Sequence, residues 1–382
     1  MKSIDTCVSN KISKGNVSIV ERYKVIDVIK GYGICLMVCG HSGAPFTNWI
    51  YLFHMALFFI ASGYLWNERN AETKKNVVQY VKRKVKSLWL PFVLINVFFT
   101  VTQNFFLKIG IYSTVAGASV LPVIPLDTSA TIKKVIGNII FSVGSQLAGA
   151  TWFLRSLFCI SIVNAVIIYL LKNIISKNTY VFIAMVVAAI GMQLVNNNVS
   201  SISLLVDKIG LQSFFAGYFA YLIGMILKKT MYMQFVKRHT LAWFLISGGG
   251  LLLLNFIGKI QLNVGHVENV AFFALSSLLG WILVYIVSIN SKWIASCVEY
   301  FGKHSVWILG LHFLSFKIVT MVYLKIVPES KATLAAYPVV YENNILWIAY
   351  TLAGIIAPLL VGYFWHKLFS FLKSMEIYRN NA

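Results

Sequence analysis

The stretch RYKVIDVIKGYGICLMVCGHSG, residues 22–43, decides how the chain is read. Its apolar part is long enough for a bilayer-spanning helix, which needs about 20 residues. Yet it holds Asp27, Lys30 and His41. Lys30 and His41 are separated by about 1100° of helical rotation, within about 20° of three full turns, and by about 16 Å of rise. They therefore share one face. Asp27 lies one turn before Lys30 and is placed to pair with it. Ionisable side chains inside a span usually face a bundle interior or a wet cavity. The same residues are also what a topogenic charge pair and an interfacial histidine would produce.

The rest of the chain has the same character. Of 382 residues, 58% are hydrophobic, 15% aromatic and only 12% charged, against about 25% charged in soluble domains. This excludes an ordinary soluble enzyme, a disordered chain and a disulfide-rich secreted domain. Ten apolar runs are long enough to be spans: about 25–43, 46–66, 87–107, 151–171, 179–195, 211–228, 241–258, 269–290, 304–327 and 344–366. The expected fold is all-α, a polytopic membrane protein of about ten helices. The short apolar stretch 135–147 reads as an interfacial or re-entrant segment.

Charge supplies the orientation. Lys and Arg total 33 against 12 Asp and Glu, a net charge of +21. Such an excess attracts nucleic acid as readily as it marks cytoplasmic loops. With a cytoplasmic N-terminus, the inward segments hold 23 of the 33 basic residues, and each holds at least two. Both termini are then cytoplasmic, and a nucleic-acid partner loses its motive. The expected organisation is a cytoplasmic segment 1–24, a membrane domain 25–372 and a cytoplasmic tail 373–382. No cleavable leader is expected. The five cysteines, Cys7, Cys35, Cys39, Cys159 and Cys297, lack metal-ligand spacing and read as packing residues.

Other polar residues fall where lipid would not favour them. The second run carries Phe53-His54-Met55 in its outer half, beside His41 if the short connection makes the two helices antiparallel. Two imidazoles there suit proton transfer, although a buried histidine bonded to a neighbouring helix is equally compatible. Arg83 and Lys86 would share a helical face at the cytoplasmic mouth and could hold phosphates; basic residues at an anionic lipid surface look the same. Trp152 and Arg155 open the fourth span, where Arg155 could meet an anionic or polyol ligand or snorkel to the interface. His312 is the deepest histidine. There is no GxSxG, HExxH, P-loop or CxxC motif, and no metal site is expected.

Together these residues resemble the bacterial membrane-bound acyltransferase 3 family. The resemblance rests on Ile26 to Gly31 followed by Gly40-His41-Ser42, on Phe53-His54-Met55 with Ser62-Gly63-Tyr64, on Arg83 to Lys86 before Leu90-Pro91, and on Trp152-Phe153-Leu154. Gly302-Lys303-His304-Ser305 and Leu311-His312-Phe313 are weaker echoes. It is specific over roughly 22–92 and diffuse beyond about 160. Arginine is frequent in the family where Lys30 and Lys86 stand, and proline commonly stands where Ala56 does.

The resemblance implies transfer of an acyl group, commonly acetyl, onto sugars of lipopolysaccharide, exopolysaccharide or another exported glycan at the bacterial cytoplasmic membrane. Its partners would be acetyl-CoA or another acyl-CoA, a glycan or lipid-linked saccharide acceptor, and membrane lipid. His41 would deprotonate the acceptor hydroxyl or take the acyl group transiently, and His54 would orient it or assist proton transfer. Lys30, Arg83 and Lys86 would meet the phosphates of the donor. Asp27, about 21 Å from His41 by helical rise, would position Lys30. Trp152, Arg155 and His312 would support the acceptor side. A secondary transporter, or a polysaccharide polymerase or flippase, is the rival reading of the composition; inverted repeats and paired broken helices are not evident in the sequence.

Overall fold

The computed structural model describes residues 19–115, 122–141, 144–197, 212–229, 232–327, 331–340 and 345–380. Most of the segment expected to be cytoplasmic at the N-terminus, residues 1–18, lies outside the described residues. The described chain is a helical bundle. Its helices are α1 (Ile19–His41), α2 (Thr47–Tyr51), α3 (His54–Tyr64), α4 (Lys74–Lys84), α5 (Leu90–Val101), α6 (Gln103–Lys108), α7 (Thr128–Ile139) and α8 (Trp152–Leu171). They continue with α9 (Lys177–Asn196), α10 (Phe214–Lys229), α11 (Tyr232–Arg238), α12 (Thr240–Ile257), α13 (Val270–Asn290), α14 (Ala295–Lys303), α15 (Ser305–Ile326) and α16 (Leu346–Asn380). One two-residue hairpin, β1 (Ile260–Gln261) with β2 (His266–Val267), turns at Gly265, whose φ of 76° suits glycine.

Among the described residues, seven helical segments are long and apolar enough to cross a bilayer: Lys74–Val101, Gln146–Leu171, Lys177–Asn196, Thr240–Ile257, Val270–Asn290, Ser305–Ile326 and Leu346–Leu372. Their outward faces are apolar. Leu94, Phe98, Phe182, Leu253, Phe256, Leu360 and Phe364 are all exposed. Water would penalise so much exposed hydrocarbon, and lipid would not. This is a multi-pass membrane protein.

The remaining three expected spans differ from uninterrupted apolar helices for local reasons. The first lies in α1, which is long enough but charged over its first half. The sixth is described as the 16-residue α10. The second is broken between α2 and α3. There the His54 Nδ1–H donates to the Ile50 carbonyl at 2.9 Å, the acceptor that the His54 backbone N–H would use in a continuous helix. Phe53 departs from helical geometry at φ −145°, and its side chain fills the space left open at Gly280.

Other boundaries move too. The expected loop 67–86 is largely α4, capped by the Thr73 hydroxyl, which accepts from the Asn76 N–H at 3.1 Å. A π-helical turn, Val85–Trp89, joins α4 to α5. The helix of the last span does not end near 366 but runs on to Asn380, through Pro358. The stretch 135–147 begins as the last turn of α7. That helix descends antiparallel along α5: Lys134 bonds Gln103 at 2.7 Å, Asn138 bonds Thr100 at 2.7 Å, and Trp89 Nε1 donates to the Ile139 carbonyl at 3.0 Å. The chain then turns at Phe141, φ 66°, and enters α8 through a 3₁₀ turn at Gln146–Thr151.

Two backbone crossings hold the centre. Where α1 meets α14, a Cβ on Gly31 would collide with the Val298 carbonyl, and one on Gly302 with the Asp27 carbonyl. Where α3 meets α10, Gly63 faces the Tyr221 carbonyl and Gly224 the Ile60 carbonyl in the same reciprocal way. Small residues allow this approach in membranes, where close packing drives helix association. The first crossing brings the Gly302-Lys303 stretch against Ile26–Gly31, so two distant parts of the sequence form one structure.

Candidate active site

The far end of α1 from its charges opens into a chamber of about 540 Å³. His41, Tyr51, His54, Trp152, Arg155 and Tyr337 line it, together with the hairpin residues Gln261 and Asn263. His41, the last residue of α1, reaches Tyr51 of α2: the Tyr51 oxygen lies 2.9 Å from His41 Nδ1. The Tyr51 hydroxyl is also within donating distance of the Gly40 carbonyl, at 3.2 Å. With the proton given to Gly40, the phenol oxygen accepts from His41 Nδ1–H, and the lone pair of His41 sits on Nε2.

The other two histidines have their tautomers set by carbonyls, which only accept. His54 Nδ1–H donates to Ile50 at 2.9 Å, and its ring lies 5.0 Å from that of Tyr51. His312 is fully buried; its Nδ1–H is shared between the Ile308 and Leu309 carbonyls, at 3.1 Å each. It stacks on His41, with ring centroids 5.5 Å apart and an interplanar angle of 26°. Its Nε2 is buried with no hydrogen-bond partner among the described residues. Phe313 closes on His41 from 5.0 Å. His41 and His54 thus edge the chamber, and His312 lies behind His41, outside the chamber lining.

Trp152 and Arg155 reach the same chamber because the 3₁₀ turn delivers them to it at the start of α8. Arg155 Nη1 donates to the Phe141 carbonyl at 2.8 Å, and its Nε is buried without a partner among the described residues. Arg155 does not snorkel; it is held inward by the α7–α8 turn.

The basic residues lie elsewhere. Lys30 and Asp27 pair at 2.6 Å, each about a quarter exposed. Arg83 is exposed and fixed by a 2.8 Å bond to the Asn70 side chain, with its guanidinium 5.8 Å from the Tyr80 ring centroid. Lys84, which sequence reasoning passed over, lies 5.3 Å over the same ring and within electrostatic range of both Arg83 and Lys30. Lys86 is exposed on the π turn. Beyond α1, Glu299 receives Lys303 at 2.6 Å and Lys24 at 3.9 Å, and the first bond raises the Lys303 pKa. None of Lys30, Arg83 and Lys86 lines the chamber. Lys30 lies midway along α1, about 16 Å from His41 by helical rise, and Lys84 is within electrostatic range of it.

Sequence reasoning missed Tyr51, Tyr337 and the hairpin residues. Tyr51 had a signal, since it precedes His54 by three positions. The others come from distant loops that nothing local marks. Among the described residues, no three His, Cys, Asp or Glu side chains gather as a metal site.

The protein is thus a helical membrane bundle with His41 and His54 on the wall of an internal chamber and the Lys30–Asp27 pair about 16 Å away on the helix that carries His41. The family profile described as an acyltransferase domain matches residues 23–365, nearly the whole chain. The chain belongs to the acyltransferase 3 family and is a membrane acyltransferase. No curated protein and no solved structure matches it.

Proposed function

We propose that this acyltransferase moves an acetyl group from acetyl-CoA to a sugar hydroxyl of a cell-surface or exported glycan, at the bacterial cytoplasmic membrane. The observation that carries the reading is the His41–Tyr51 pair at 2.9 Å on the chamber wall, with His54 and His312 packed around it. The reading includes ten spans with both termini cytoplasmic, a cytoplasmic segment 1–24, a membrane domain 25–372 and a tail 373–382. It takes the end bearing Lys30 and Arg83 as cytoplasmic and the chamber as opening toward the other side.

The donor's phosphates meet Arg83, Lys86 and Lys30, with Lys84 adding charge and Asp27 holding Lys30 in place. The thioester reaches the chamber along α1. His41 Nε2 takes the proton of the acceptor hydroxyl as its oxygen attacks the thioester carbonyl. The C–S bond breaks, and the departing thiolate takes the proton back from His41. His54 assists the proton transfer. His312 braces the His41 ring, and Trp152 and Arg155 support the acceptor.

The test is acyl transfer from labelled acetyl-CoA to surface glycan by the purified full-length protein. His41→Ala, in protein that remains folded, should lose at least about 100-fold in rate, the scale of general-base catalysis. Activity within a fewfold of the unaltered protein would reject the assignment.

A further inference from the structure

Lys317 lies within the span formed by α15, is only 2% exposed and takes no part in the chemistry proposed above. Among the described residues it pairs with no carboxylate. Its ammonium donates instead to two backbone carbonyls, that of Leu334 at 3.1 Å and that of Ala336. Both belong to the strap 331–340, a 3₁₀ turn at Lys331–Ala335 followed by irregular chain. The strap is tucked into the protein, with Leu334, Ala335 and Val339 buried. Irregular backbone so placed must find its hydrogen bonds within the protein, because lipid offers none. A cation inside a span is costly and marks function unless it snorkels to the interface. Lys317 is too deeply buried to snorkel, and its donors go to the strap.

Next to Ala336 the strap carries Tyr337, which lines the histidine chamber. The Tyr337 ring packs on Phe313, with centroids 4.8 Å apart, and Phe313 in turn lies 5.0 Å from His41. Phe313 and Lys317 are four residues apart and so occupy one face of α15. The Tyr337 hydroxyl oxygen comes so close to Gly149 that a Cβ there would lie 2.7 Å from it. One helix face thus presents both the ring that touches the proposed base and the cation that fixes the strap.

We propose that Lys317 is a positioning residue for the acceptor. It pins the strap so that Tyr337 stands as an aromatic wall of the chamber, and the apolar face of the acceptor's sugar ring packs against that wall. Tyr337 recognises the ring, and Lys317 acts only through Tyr337. The proposal rests on the reading of the chamber as the acceptor's site and adds the residue that meets the ring and the one that holds it in place.

The experiment has two arms, both on the purified full chain in detergent. The first uses no substrate. Ala335→Cys places a thiol on the strap at a position only 2% exposed, and the buried Cys39 of α1 is the internal control. Maleimide labelling is read peptide by peptide by mass spectrometry. Adding Lys317→Met should speed labelling at position 335 by about tenfold or more, the scale of one charge-assisted hydrogen bond lost, with Cys39 unchanged. Labelling at 335 that stays slow overturns the pin. If Cys39 becomes labelled as well, the bundle has opened, and Lys317→Gln, which keeps a donor, carries the same comparison. The second arm follows acyl transfer from labelled acetyl-CoA to surface glycan. Lys317→Met and Tyr337→Ala should each raise the acceptor KM by about tenfold and leave the donor KM unchanged, whereas Tyr337→Phe, which keeps the ring, should match the unaltered protein. An unchanged acceptor KM in Tyr337→Ala overturns the wall. A protein that shows the labelling change but transfers nothing to glycan overturns the acceptor reading and leaves the pin standing.

Discussion

The Tyr51 hydroxyl stands between His41 Nδ1, at 2.9 Å, and the Gly40 carbonyl, at 3.2 Å. A hydroxyl has one proton to give. With it given to Gly40, the phenol oxygen accepts from Nδ1–H, and the Nε2 lone pair is presented to the chamber. Tyr51 is therefore a positioning residue for the proposed base.

Tyr51→Phe should lower kcat about tenfold to a hundredfold. A hydrogen bond to a group that becomes charged is worth about 1.5–3 kcal/mol, and each 1.36 kcal/mol is tenfold in rate. The KM for the acyl donor should stay unchanged, because the proposed phosphate contact at Lys30 lies about 16 Å from His41 along α1. Steady-state kinetics separates the two effects, and a rise in donor KM with kcat intact would contradict the positioning role.

His312→Leu removes the ring stacked 5.5 Å from His41 and frees the His41 imidazole to move. Misplacing a catalytic group by about 1 Å can cost on the order of 100-fold, so kcat should fall by roughly tenfold to a hundredfold. The loss should remain smaller than that of His41→Ala. An equal loss would promote His312 from brace to reacting group.

Arg83→Ala should raise the donor KM by about tenfold or more, as expected for one charge-assisted contact to phosphate. Asn70→Ala, which removes the 2.8 Å anchor and leaves the charge, should act in the same direction but more weakly. Titration of acyl-CoA binding in detergent reads both. Unchanged affinity in Arg83→Ala would remove this residue from the donor site.

Gly31→Ala and Gly63→Ala each place a methyl group against a backbone carbonyl of the opposing helix. Backbone cannot retreat as a flexible side chain can, so each should cost about 1–3 kcal/mol, the usual range for overpacking. Thermal unfolding of the solubilised protein should show a lower midpoint for both. Gly248→Ala, at a position with open space around it, serves as the neutral comparison.

Much of this was legible locally. Low charge and long apolar runs determine a helical membrane protein, because lipid leaves the backbone no other partner than itself. The eleven-residue spacing of Lys30 and His41 determines a shared helix face, because helical rotation per residue is fixed. The three-residue spacing of Asp27 and Lys30 likewise anticipates their ion pair, which forms at 2.6 Å. Tertiary structure decided the rest. His54 breaks its own helix by taking the Ile50 carbonyl, a side-chain bond that apolar patterning does not register. His312 meets His41 from a helix some 270 positions away along the chain, and Tyr337 and the hairpin reach the chamber from loops without a motif. The reciprocal contacts of Gly31 and Gly302 depend on two backbones meeting at one point. Periodicity encodes which residues share a face of a helix. Which faces meet depends on packing among helices distant in sequence, and that is where the histidine chamber was made.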